Sequence, residues 1–155
     1  MEIAGIGPNW LLVWVVIWSL KRNVWAAAIA GLILGLIQDG LTAPEPTHVL
    51  SLISVGVATA KLQKERFVQE DFISVAVIVF GMALLGETIM AIQFSFMKDG
   101  RTLGQIWNYH PTIALSSAIL GSLWAPIFYW PLNQLWQWLA IVEQSSPQNR
   151  RRARL

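Results

Sequence analysis

The chain has 155 residues, 55% hydrophobic and 13% charged, with nine tryptophans, a formal net charge of +2 and positive mean hydropathy. Such a composition is too apolar for a soluble domain of this length and indicates an all-α, polytopic helical membrane protein. The absence of cysteine excludes a disulfide framework and a thiolate metal site.

The first apolar run follows Gly7-Pro8-Asn9 and ends at Leu20, with Pro8 suited to a first helical turn. It has about 13 residues, roughly 20 Å of helix, which is short against a ~30 Å hydrocarbon core. The second run is Val24 to Gly40, the third Thr47 to Leu62, the fourth Phe72 to Phe96 and the fifth Thr112 to about Leu139. All five are expected to be transmembrane helices, because the runs lack the two-residue alternation of a membrane barrel. The connectors are Lys21 to Asn23, Leu41 to Pro46 with breakers Pro44 and Pro46, Gln63 to Asp71, and Met97 to Pro111. Pro126 and Pro131 should kink or break the last helix. No run is long and polar enough for a soluble domain, so residues 1–155 make one membrane domain ending in a basic tail, 143–155.

The basic residues are unevenly distributed. Lys21, Arg22, Lys61, Lys64, Arg66, Arg150, Arg151, Arg152 and Arg154 follow the first, third and fifth runs, and only Lys98 and Arg101 fall on the other side. By the positive-inside rule the C-terminus is cytoplasmic and, with five spans, the N-terminus is outside. Beside a membrane helix the arginine cluster holds the tail to anionic lipid, which makes a nucleic-acid partner the poorer reading.

Depth along the helices gives the sharpest expectation. Asp39 lies 15 residues beyond Val24 and Glu87 lies 15 beyond Phe72, so both stand about 22 Å from the cytoplasmic face at 1.5 Å per residue. Ser51, Ser116 and Ser117, on helices running the other way, fall roughly 6 to 8 Å below the outer face. Asp39, Glu87, Thr88, Ser51, Ser116 and Ser117 are therefore expected to share one layer, a candidate polar cup. With no lysine or arginine inside the spans, each carboxylate needs protonation, hydrogen bonds or water. Such a cup could hold the head of a lipid-linked molecule, a cation or a polar group of a partner helix. The plainer reading is interhelical glue, worth about 0.6 kcal/mol per contact. Asp39 at a helix C-terminus opposes the macrodipole, so a donor from elsewhere is expected.

Ala27, Gly31 and Gly35 form a small-residue stripe, as do Ser117, Gly121 and Ala125, and the two stripes could face each other. Packing within the chain is preferred to dimerisation as their role. Trp10, Trp14 and Trp18 recur every four residues; Trp14 at mid-membrane points to a protein-facing surface or a missing helix. His48 and His110 read as solvated loop residues, and two histidines without further ligands make a poor metal site. No catalytic motif, phosphate loop, metal site or cofactor site is found.

Three elements in order carry a family resemblance: Gly7-Pro8-Asn9-Trp10, then Gly31-Leu32-Ile33-Leu34-Gly35-Leu36-Ile37-Gln38-Asp39-Gly40, then Leu123-Trp124-Ala125-Pro126. Together they resemble the rod shape-determining membrane protein MreD. The resemblance implies a non-enzymatic scaffold subunit of the cell-elongation machinery in the bacterial inner membrane. Its implied partners are a single-span MreC-like protein, the peptidoglycan polymerase RodA with its transpeptidase, and cytoskeletal MreB, reached indirectly or through the cytoplasmic connector 61–71. The family's motif positions fall on Pro8, Asn9, Trp10, Gly31, Gly35, Asp39, Gly40, Trp124 and Pro126. Members have six helices, so the usual first helix is expected to be missing here, and restoring it would put both termini in the cytoplasm. The family's fold has been likened to the substrate-binding subunits of vitamin transporters. A small-molecule transport component is therefore the alternative, and an intramembrane enzyme using Asp39 and Glu87 is a weaker third.

Overall fold

The computed structural model describes residues 9–42, 46–64, 72–97 and 103–145. Pro8, Pro44, Lys98, Arg101, most of the connector 61–71 and the arginines of the tail lie outside the described residues. The chain is all-helical, with α1 at Trp10–Ser19, α2 at Val24–Leu41, α3 at His48–Lys64, α4 at Phe72–Phe96 and α5 at Leu103–Ser145. No strand occurs among the described residues.

Local chemistry sets the helix starts. The Asn9 side chain accepts from the Leu12 amide at 3.1 Å and the Asn23 side chain from the Ala26 amide at 2.9 Å, each satisfying an orphan donor of a first turn. Three stretches are long and apolar enough to cross a membrane: Val24–Leu41, Ile73–Phe96 and Trp107–Trp138. The helices α1 and α3 are apolar but shorter, so three of the five expected spans meet the length requirement among the described residues. At 10 residues, α1 covers only about 15 Å.

The short α1 is the core of the bundle. Leu12, Val13, Val15, Val16, Ile17 and Leu20 are buried, and α1 touches each of the other four helices. Around it α2 packs on α3, α3 on α4 and α4 on α5, while α2 and α5 do not meet. The ring is thus open between α2 and α5, over the face of α1 that carries the half-exposed Trp10 and Trp14.

Glycine makes the α2–α3 approach possible. A Cβ on Gly31 would stand 2.5 Å from the Leu52 carbonyl oxygen, and one on Gly35 would stand 2.5 Å from the Val49 Cα. On α3, a Cβ at Gly56 would stand 2.7 Å from the Ala27 oxygen. These pairings make α2 and α3 antiparallel neighbours. They also correct the expectation that the two small-residue stripes face each other. The α2 stripe is occupied by α3, whereas Gly121 on α5 faces Val13 and Val79 of α1 and α4.

The last helix departs from expectation at its start. It begins at Leu103, eight residues before Pro111, so most of the expected Met97–Pro111 connector is helical. It also continues through Pro111, Pro126 and Pro131 without a break. Each proline removes one backbone donor, and the helix resumes beyond each ring. At 43 residues α5 is about 64 Å long, well over the membrane's thickness.

Candidate functional site

The polar residues gather where α2 ends, α3 begins and α4 and α5 pass. Asp39, in the last turn of α2, acts on the first turn of α3. Its Oδ1 accepts from the His48 backbone amide at 2.8 Å, and its Oδ2 accepts the Thr47 hydroxyl at 2.6 Å. The His48 Nδ1 lies 2.8 Å from Asp39 Oδ1. A carboxylate that opposes its own helix dipole is thereby matched to the positive end of the next helix. The donors that Asp39 needs come from the neighbouring helix start, an interhelical cap of the kind a local Ser or Asp would otherwise supply.

The second carboxylate sits deeper in the bundle. Glu87 on α4 is half-buried and lies within hydrogen-bonding reach of the Ser117 hydroxyl on α5. One residue earlier, the Gly86 carbonyl accepts the buried Ser51 hydroxyl of α3 at 3.0 Å. Further along α4, Gln93 Nε2 donates to the Thr47 carbonyl at 3.2 Å. Asp39, Thr47, His48, Ser51, Glu87, Gln93 and Ser117 therefore form a contiguous polar seam joining α2, α3, α4 and α5. Thr88 is apart from it and returns its hydroxyl to the Leu84 carbonyl at 2.7 Å. Ser116 is buried without a side-chain bond to the seam.

His48 was read from the sequence as a solvated loop residue, and the structure corrects this. It is the first residue of α3 and its side chain is 19% exposed. His110 likewise lies within α5, its Nε2 enclosed and unpartnered among the described residues, against the Trp107 ring at 5.4 Å. Sequence reasoning also missed Gln93. The available signal was the Pro46-Thr47-His48 sequence, a helix start placed opposite a helix-terminal aspartate. No group of three or more potential metal ligands occurs among the described residues.

The other motif residues meet at packing contacts. The Trp10 ring meets Trp124 edge-on at 5.3 Å and Phe128 at 5.7 Å, so the Asn9-Trp10 element and the Trp124-Ala125-Pro126 element touch. Ala125 is fully buried beside them. At the other end of α1, Lys21 Nζ donates to Asn133 Oδ1 at 2.8 Å and lies over the Trp136 ring at 5.1 Å. Gly40 has open space around it.

Comparison with protein-family models matches residues 1–132 to the rod shape-determining protein MreD. The chain belongs to the MreD family. A search of curated proteins and a search of solved structures each return no match. Family membership carries involvement in rod shape determination, and the apolar helices agree with a membrane protein. The three sequence elements that carry the resemblance divide the structural work. Asn9 and Trp10 start α1 and seat it on Trp124. Gly31 and Gly35 bring α2 against α3. Asp39 fastens that pair where α2 ends and α3 begins.

Proposed function

We propose that this protein is a non-enzymatic scaffold subunit of the cell-elongation machinery, embedded in the bacterial cytoplasmic membrane with its C-terminus in the cytoplasm. It binds a single-span MreC-like protein and helps couple RodA and its transpeptidase to MreB, the last indirectly or through the connector 61–71. The family match over residues 1–132 carries this reading. The geometry agrees with it, since the motif residues make helix-to-helix contacts that stiffen a bundle and present apolar faces to other helices. The sidedness agrees as well. The antiparallel order puts Lys21, Arg22 and Lys61 at one end and the Asp39–His48 seam at the other, which is the asymmetry that orients a multi-pass protein.

Within this reading the seam of Asp39, His48, Glu87 and Ser117 receives a polar group of the partner's helix near the outer face. Co-purification of the full chain with an MreC-like protein, with crosslinks mapped to the helices, tests the assignment alongside loss of rod shape on depletion. Failure of both refutes it. Asp39→Asn and Glu87→Gln should impair shape more than accumulation; normal shape in both variants would reduce the seam to packing.

A further inference from the structure

The gap between α2 and α5 holds a groove that none of the preceding contacts fills. It has a volume of about 570 Å³ and runs along α1 and α2, between Trp14 and Trp18 on one wall and Ala26, Ala30, Ile33 and Leu34 on the other. Every residue lining it is apolar or an indole. At its basic end the Arg22 guanidinium carbon stands 4.6 Å from the Trp18 ring centroid, exposed to solvent. Among the described residues no carboxylate pairs with Arg22. The adjoining Lys21 is directed to the α5 side, toward Asn133 and Trp136. Trp25, on the first turn of α2, is 80% exposed beside this mouth, the placement of an interfacial anchor.

We propose that this groove is a binding site for one anionic phospholipid, its phosphate on Arg22 and one acyl chain lying along Trp18, Trp14 and the alanines of α2. Charge complementarity selects this occupant. A cation held over an indole at the mouth of an apolar trough matches a headgroup phosphate joined to a hydrocarbon chain, and a guanidinium presents paired donors to phosphate oxygens. Basic pockets between membrane helices bind anionic headgroups on the same grounds. The small side chains Ala26 and Ala30 keep the trough open. The proposal concerns the lipid this bundle retains and stands independently of the scaffold reading.

Native mass spectrometry of the full chain, titrated with phosphatidylglycerol or phosphatidylcholine, tests it. One phosphatidylglycerol should remain bound at concentrations where phosphatidylcholine does not. Arg22→Gln should weaken phosphatidylglycerol binding about fivefold, as expected for one basic side chain at a membrane surface, and weaken phosphatidylcholine binding less, because its choline offsets the phosphate charge. Ala30→Phe should reduce the bound lipid, whereas Lys61→Gln, an exposed cation on α3 at the same end, should not. Phosphatidylglycerol with brominated acyl chains should quench part of the tryptophan emission, and that part should shrink in Trp14→Phe. Equal retention of the two lipids, or an Arg22→Gln protein that binds phosphatidylglycerol as the parent does, overturns the proposal. So does an Ala30→Cys protein that forms a disulfide-linked dimer in native membranes, since the groove would then be covered by a second copy.

Discussion

Substitution of Gly31 by alanine tests one of the closest helix approaches among the described residues. The added methyl would stand 2.5 Å from the Leu52 carbonyl oxygen, 2.7 Å from its carbon and 2.8 Å from the Ile53 Cα. All three are backbone atoms inside α3, so no side chain can rotate away. Ordinary contact begins near 3.5 Å, so α3 has to retreat from α2 by roughly 1 Å. That movement loosens the Gly35–Val49 and Gly56–Ala27 approaches along the same interface, and it lengthens the Asp39–His48 bonds at its end. Overpacking of this kind costs about 1 to 3 kcal/mol, against a helix-propensity gain of up to about 1 kcal/mol for replacing glycine. Thermal unfolding of the purified protein in detergent, followed by tryptophan fluorescence, should therefore show a Tm lowered by several degrees. Gly81→Ala supplies the control, because nothing lies within 4 Å of a Cβ there and only the propensity gain remains. Adding Gly35→Ala to Gly31→Ala should cost less than the sum of the two, since one displacement relieves both clashes. An unchanged or raised Tm in Gly31→Ala, with Gly81→Ala behaving alike, would refute the close α2–α3 packing.

Asp39→Ala should destabilise the protein by about 1 to 2 kcal/mol, the cost of losing a helix cap, and hydrogen exchange should rise first at His48 to Leu50. Exchange that rises equally along α3 would show that Asp39 does not cap it. A double-mutant cycle on Trp10 and Trp124 should return a coupling of about 1 kcal/mol from their edge-on contact, and a coupling near zero would separate the two motif elements. Leu12→Ala should cost about 2 to 5 kcal/mol, because Leu12 is 1% exposed at the centre of the bundle. A loss below about 1 kcal/mol would place α1 at the periphery, since a half-exposed leucine leaves no enclosed cavity when truncated.

The five helices were legible from their apolar runs, and the first two also carry their own boundary chemistry. Asn9 and Asn23 cap α1 and α2 through bonds that close within three residues, and the Phe72–Phe96 run became a helix with those bounds. Local rules failed where a distant surface intervened. Pro111 resembles a helix boundary, yet the helix passes through it. Trp14 was readable as an aromatic at mid-membrane, while the gap that leaves it 40% exposed depends on α2 and α5 failing to meet.

The sequence by itself determined that the chain is helical and apolar and which end of the bundle carries the exposed cations, because hydropathy, capping and charge act over a few residues. Only the tertiary structure decided that the shortest helix is the core, that Gly31 and Gly35 serve α3, and that His48 meets the Asp39 carboxylate. Those facts depend on which faces meet, and small-residue stripes on α2 and α5 look alike until a neighbouring backbone fills one of them.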